Sequence, residues 1–478
     1  MPTIPRSPIH RGTFVAALRC APLGLALACG SDEPEDVPVA IESEAALSMS
    51  AAAGVTPDQL LLTLLAAEGS TPSSGTRNLF STDVGRSADE VREKLATAAN
   101  RFFGIGTGET NELITDQGYR LYYELPQDPS QAFIWAPDSA DIRSEGMSYG
   151  MMIAVQLGLR EHFDRLWNFA RKQMQYPAGS GAWANYFKWQ GRVDGSSTRS
   201  WKVTYNADTV PAPDGEEYFA AALYLADRRW GSDGAINYRQ AADAIAQSML
   251  DNPAGLGRFP IIHAESGMVV FVPFGRSNEF SDPSYHLPAF YELYAEYADE
   301  ATAARWRAIA ETSRQYFVDS AHPTTGLHPD YANFDGTPNA GSNPGDQRHD
   351  EFRYDAWRVV MNMAVDYAWG NEDARLKTQV EKYHTFFADH LGQGNVSNAL
   401  FAIDGSNPEG GSSTALTATL ASGALASESA MRTRYIQNAW DVGQQSGLYR
   451  YYQECVYLLG LLATAGQYGN EWGTPSGG

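Results

Sequence analysis

Three carboxylates in this 478-residue chain stand at or beside predicted helix starts. Glu145 opens "SEGMSYGMMIAVQLG" (144–158), Asp214 precedes "GEEYFAAALYLADRRW", and Asp355 lies in "FRYDAWRVVMNMAVDYAWG". Singly, each has an ordinary structural use. An acid in a first turn favours the helix dipole, which suits Glu145. Asp214 with Glu217 fits a D-x-x-E capping box. Asp355 suits a cap, with Arg358 one turn on to neutralise it. Together the three can do chemistry. Cleaving a glycosidic bond takes one carboxylic acid to protonate the leaving oxygen and one carboxylate acting on the opposite face. Met147, Tyr149 and Met151 would raise the pKa of Glu145 by desolvation, and Arg358 would help keep Asp355 ionised.

Carboxylates so far apart in sequence need a fold that gathers them. From residue 88 onward, helix-period stretches follow one another, separated by long polar or Gly/Pro-rich loops. They begin near Ala88, Glu145, Glu161, Gly215, Tyr238, Tyr285, Thr302, Asp355, Asp373, Ala415, Glu428 and Tyr449. The clearest strand-like run is "GMVVFVPF" (267–274). Paired helices with alternately short and long connections predict an all-α toroid, whose inner helices aim their ends at one shared cleft.

Composition narrows the partner. A hydrophobic fraction of 43% and a charged fraction of 19% suit a globular chain with a sizeable core. A net charge of -22 argues against nucleic acid and anionic membrane surfaces. A neutral polar polymer is acceptable, and rings form flat apolar platforms for sugar faces. The N-terminus reads as an export signal over residues 1–28: Arg6, Arg11 and Arg19, then the short apolar run "APLGLALA". That run is too short to span a bilayer. Cleavage after Ala28 fits either an ordinary signal site or a bacterial lipobox with Cys29 lipidated, although Ala26 sits where Leu is usual. Residues 29–75 read as an acidic, mostly disordered linker, starting with a solvated tether and holding one short helix at 56–68 capped by Thr56. The expected location is the cell envelope through a lipid anchor, otherwise secreted or periplasmic, and the expected state is a monomer. Cys455 reads as a buried inert thiol. No disulfide framework or CxxC zinc site is available, and no metal or cofactor is expected, since two carboxylates and water suffice. "GIGTGE" (104–109) lacks the strand and helix of a nucleotide loop, and His286 and His328 lack metal-ligand spacing.

The motifs also resemble glycoside hydrolase family 8, most closely its reducing-end xylose-releasing exo-oligoxylanase branch. The resemblance rests on "SEGMSYGMMIAVQLG", "APDGEEYFAAALYLADRRWG", "DPSYHLPAFYELYAEYA", "TGLHPDYANFDGTP" and "FRYDAWRVVMNMAVDYAWG", and spans roughly residues 75 to 468. It implies an (α/α)6 barrel as the catalytic domain (76–468), a tail at 469–478, and an inverting mechanism on xylo-oligosaccharides or xylan. It further implies Glu145 as general acid, Asp355 as general base and Asp214 as a third acidic residue that holds the sugar. Trp189, Tyr285 and His286 would contact sugar, and Tyr354 and Arg358 would flank the base. One departure matters. Exo-acting relatives close the leaving-group side with a Leu-His-Pro loop, whereas the comparable stretch here is "AIDGSNPEGGSSTALTATLAS" (402–422). A flexible Gly/Ser loop there would leave the cleft open and make endo action a rival. "GLHP" at 326–329 lies elsewhere. The other rivals are a β-glucan or chitosan hydrolase of the same family, and a non-catalytic carbohydrate-binding protein on a disused scaffold.

Overall fold

Burial divides the helices into two alternating sets. The structure, a computed structural model, describes residues 71–472 except 108–109, 198–199, 207–208, 342–347 and 392–395, together with residues 61, 62 and 65. The expected signal, Cys29, Thr56 and residues 473–478 lie outside the described residues. In chain order the helices are α1 (Leu79–Val84), α2 (Ala88–Phe103), α3 (Ser144–Leu157), α4 (Arg160–Phe169), α5 (Pro213–Trp230), α6 (Tyr238–Asp251) and α7 (Pro288–Tyr297). They continue as α8 (Glu300–Asp319), α9 (Val359–Ala368), α10 (Ala374–Phe387), α11 (Thr414–Gly423), α12 (Arg432–Asp441) and α13 (Arg450–Thr464). Helices α3, α5, α7, α9, α11 and α13 are buried over most of their length. Helices α2, α4, α6, α8, α10 and α12 bury one stripe each, as Val91, Leu95, Ala98, Ala99 and Phe102 do on α2. Six inner helices inside six outer ones form an (α/α)6 barrel.

Caps divide in nearly the same way. Among the outer helices, Ser87 with Glu90 forms a full capping box on α2, and Asn237, Asp299 and Asp373 cap α6, α8 and α10. Inner helices α3, α5, α7, α9 and α13 start with no side-chain cap, and only α11 has one, from Ser413. The positive ends of these helices therefore stay available to carboxylates in and around their first turns. The expected Asp214–Glu217 capping box does not form. Ala212 occupies the cap position, Asp214 Oδ1 accepts its neighbour Gly215 N–H at 2.9 Å, and Glu217 is turned to the Tyr291 hydroxyl.

Strands are short and serve the loops. β2 (Tyr122–Leu125) pairs with β3 (Asp128–Ile134), and β5 (Gln190–Ser197) lies between β4 (Asp141–Arg143) and β6 (Ser200–Thr204). β7 (Phe280–Ser281) pairs with β8 (Ala332–Asn333). The run 267–274 is not a strand: it makes only isolated bridges, Ile262 to Val269 and Arg258 to Phe274. At the C-terminal ends of the inner helices, β1 (Pro72–Gly75) pairs antiparallel with β9 (Gly469–Trp472). This joins residues expected in the linker to residues expected in the tail. Gln156 on α3 holds β9 from both sides, donating to Gly469 O at 2.9 Å and accepting its N–H at 3.0 Å. Arg228 on α5 donates to Asn470 O, and Trp369 beyond α9 donates to Tyr468 O. Leu61 and Leu65, also within the expected linker, are buried in the same core.

Candidate active site

The N-terminal ends of the inner helices share one mouth, and Arg358 stands at its centre. A three-residue strand delivers the first acid: β4 runs straight into α3, and Ser144 N–H donates to Trp189 O at 2.9 Å. The second acid comes close because Gly215 has no side chain. A Cβ there would sit 2.6 Å from Ser144 Oγ. The third lies not on α9 but in the 3-10 turn Tyr354–Arg358 that precedes it. Sequence spacing merged that turn with the helix.

Arg358 is 5% exposed at its side chain and is ringed by carboxylates. Its Nη1 lies 3.1 Å from Asp214 Oδ2 and 3.6 Å from Glu145 Oε2, and its Nη2 lies 3.1 Å from Asp355 Oδ1. Nη2 also donates to Ser284 Oγ at 2.7 Å, and Nη1 to the Tyr149 hydroxyl. The two nitrogens of a rigid guanidinium are roughly 2.3 Å apart, so Glu145 Oε2 and Asp355 Oδ1 are at most about 9 Å apart. That ceiling admits most of the roughly 6.5–9.5 Å spacing of an inverting pair.

The two acids on helix starts differ electrostatically from free carboxyls. Burial pushes Glu145 up to about 7, with Arg358 opposing and Asp214 and Asp355 adding to the rise. Tyr451 OH donates to Glu145 Oε1 at 3.0 Å. That approach depends on Gly146, where a Cβ would lie 2.6 Å from the Tyr451 hydroxyl. Burial likewise raises Asp214 to about 6, opposed chiefly by Arg358. Asp355 is the open member, with 30% of its side chain exposed to the cleft. A fourth carboxylate, Asp282, is fully buried. Its Oδ1 accepts Ser284 N–H at 2.7 Å, while Oδ2 has no hydrogen-bond partner and lies 4.0 Å from Arg358 Nη2. Burial raises its pKa well above the carboxylate range.

The remaining expected residues fall into two groups. Tyr285 is buried with its ring centroid 5.7 Å from the Arg358 guanidinium and stacks on Phe271. Tyr354 is 50% exposed at the rim beside the base, and its carbonyl accepts the Tyr452 hydroxyl at 2.8 Å. Trp189 is half-buried and tied by its backbone to Ser144 and Val210. His286 does not fit a sugar contact. It is fully buried, with Nδ1 2.8 Å from Ser313 Oγ and Nε2 3.0 Å from Ser281 Oγ, so both ring nitrogens are spent inside the protein. Its neighbour Tyr285 meets Arg358 and Phe271 instead, so adjacent residues of one motif have different surroundings. Sequence reasoning missed Tyr451, Ser284, Asp282 and the hydroxyl role of Tyr149. A paired Tyr451–Tyr452 at the start of an inner helix was the available signal. Among the described residues, no group of three or more His, Cys, Asp or Glu is placed to hold a metal ion.

The loop at 405–413 also differs from expectation. It is a hydrogen-bonded turn, not a flexible tether: Glu409 N–H donates to Leu400 O at 2.9 Å, and Glu409 pairs with Arg348 at 3.0 Å. Gly405 and Gly410 take φ of 88° and 85°, so these glycines serve the turn's left-handed positions. Its exposed side chains are nonetheless small or polar, Ser406, Asn407, Pro408 and Ser412 among them.

Comparison with known proteins agrees with this geometry. Residues 135–466 match the family described as glycosyl hydrolases family 8. The chain is 36% identical over 395 residues to the reducing-end xylose-releasing exo-oligoxylanase Rex8A of Paenibacillus barcinonensis, covering 82% of this chain and 95% of the relative. It is 35% identical over 397 residues to the reducing end xylose-releasing exo-oligoxylanase of Halalkalibacterium halodurans, covering 82% and 93%. Among solved structures, a family 8 xylobiose complex from Teredinibacter turnerae superposes with a TM-score of 0.72 at 36% identity, covering 82% of this chain and 97% of that one.

Proposed function

The chain belongs to glycosyl hydrolase family 8, and from that premise we propose that its mouth hydrolyses β-1,4-xylosidic bonds of xylo-oligosaccharides, with Glu145 as general acid and Asp355 as general base. It is a glycosidase of the oligoxylanase type, and the family inverts. Glu145 gives its proton to the glycosidic oxygen as the C–O bond breaks. Asp355 takes a proton from the water that attacks the anomeric carbon from the other face, so both carboxyls end with their protonation reversed. Asp214, between them on Arg358, holds the sugar at the cleavage point. Trp189, Tyr285 and Tyr354 line its path, and Arg358 keeps Asp355 aimed. The observation that carries this reading is the single guanidinium joining Glu145, Asp214 and Asp355.

Replacing the base tests it. Asp355→Asn is expected to lower kcat by at least about 100-fold with KM little changed, since the cleft keeps its shape. Glu145→Gln should do the same, except on substrates whose leaving group needs no proton. Near-normal turnover in both variants would contradict the roles.

The relatives' names point to xylose release from the reducing end. The small side chains at 405–412 favour a second reading, in which a long chain passes the cleavage point and is cut internally. Reducing-end-labelled xylohexaose separates the two: labelled xylose alone at early times means exo action, and labelled products of mixed length mean endo action. From the N-terminal sequence alone we also propose export with lipid on Cys29. Cys29→Ser should abolish palmitate incorporation, and unchanged labelling would overturn that.

A further inference from the structure

The stretch "TGLHPDYANFDGTP" (325–338) has no part in the chemistry above, yet it touches the backbone of the base. Asp330 within it is buried, and both of its oxygens are used. Oδ1 accepts the backbone N–H of Asp355 at 3.1 Å, and Oδ2 lies 2.8 Å from His349 Nδ1. The turn Tyr354–Arg358 has no side-chain cap of its own, because Arg353 at the cap position supplies none. Asp330 satisfies one of the turn's orphan donors from 25 residues upstream.

Asp330 is itself held firmly. Its N–H donates to Glu351 O at 2.9 Å and that of Tyr331 to His349 O at 2.7 Å, so the two segments run side by side. The His349 ring stacks on Tyr331 with centroids 4.0 Å apart and planes at 13°. Two residues before Asp330, His328 is locked in the core, with Nδ1 2.9 Å from the Tyr383 hydroxyl and Nε2 2.7 Å from Phe317 O. The charged groups that act on Asp330 are His349 and Asp355, and it acts in turn on Asp282.

We propose that Asp330 is a positioning residue for Asp355, held in register by His349. Arg358 holds the Asp355 carboxylate, and Asp330 holds the backbone N–H of the same residue. A base anchored at both ends keeps its distance from the attacking water, and an error of about 1 Å there costs up to roughly 100-fold in rate. The proposal rests on the reading of Asp355 as the base.

Three variants test it against the parent, with melting temperatures measured alongside. Asp330→Ala is expected to lower kcat roughly 10–100-fold with KM within about twofold. Asp330→Asn keeps an oxygen that can accept the Asp355 N–H and should recover most of that loss. His349→Phe keeps the stack on Tyr331, removes Nδ1 and should lower kcat several-fold at constant KM. The last two variants keep the test open should Asp330→Ala fail to fold. Asp330→Asn as impaired as Asp330→Ala, or Asp330→Ala and His349→Phe both within about twofold of the parent kcat, overturns the proposal. Asp355→Asn run beside them separates the layers. If it stays active, the base reading falls and takes this one with it; if it is dead while the Asp330 variants are normal, only this one falls.

Discussion

Glu145 must carry a proton to the reaction, and the protein secures this first by burial and then by the negative company of Asp214 and Asp355. Since its value is raised to about 7, the fraction able to act as acid falls as pH rises through 7. The expected profile of kcat/KM therefore has an alkaline limb with its midpoint near pH 7, measurable on xylotriose across a constant-ionic-strength buffer series. A limb above pH 9 would mean that another group limits the rate. The same shift bears on stability. A carboxyl raised in the fold stabilises it fully below its ordinary value of 4.5, and that contribution is lost as pH rises through about 7. Glu145→Gln carries no charge to bury, so its stability should fall less than the parent's between pH 5 and 8, as urea titrations would record. Glu145 and Asp214 were legible because each opens an apolar helix, a pattern the sequence displays locally. Tyr451 offered only its pairing with Tyr452 as a signal, since its tie to Glu145 spans 306 residues and depends on the missing Cβ of Gly146.

At the scale of elements, the close crossing of α3 and α5 decides how near Asp214 comes to Glu145. Gly215→Ala would place a methyl 2.6 Å from Ser144 Oγ and 3.3 Å from its carbonyl carbon, so the helices must part. Such overpacking typically costs about 1–3 kcal/mol. The expected result is that loss of stability in denaturant titration, together with a fall in kcat of at least about tenfold from the displaced acid pair. Ser144 Cβ would lie 2.7 Å from the same methyl, so turning its hydroxyl aside is no relief, and unchanged stability and rate would show that the crossing does not set the acid pair. Helix periodicity marked the twelve barrel helices because an apolar stripe is a local signal. It placed three starts three or four residues early, near Tyr285, Asp355 and Glu428 for helices that begin at Pro288, Val359 and Arg432, and two of these share one reason. Pro283–Tyr285 and Tyr354–Arg358 are separate 3-10 turns, and their apolar residues continue the helical spacing of α7 and α9. Those turns carry Tyr285 and Asp355, so the boundaries were misread at the very places where the motifs had pointed to site residues.

For the molecule as a whole, the alternation of buried and half-buried helices was readable as a toroid, but its closure was not. Nothing local in residues 72–75 or 469–472 announces that they pair, and the strands are short, with register shifts on both sides of Ser74. That pairing has a consequence for how the protein comes to exist. Gln156, Arg228 and Trp369 sit at the ends of three inner helices and find partners in residues 468–470. While the chain is still emerging from the ribosome, those partners have not yet been made. Helix pairs can form as they appear, yet the floor beneath them stays unfinished until nearly the last described residue is synthesised. A chain stopped after Ala465 should therefore remain open to protease at the α3, α5 and α9 ends, while the full chain resists. A strand of four residues is thus the last piece the barrel waits for.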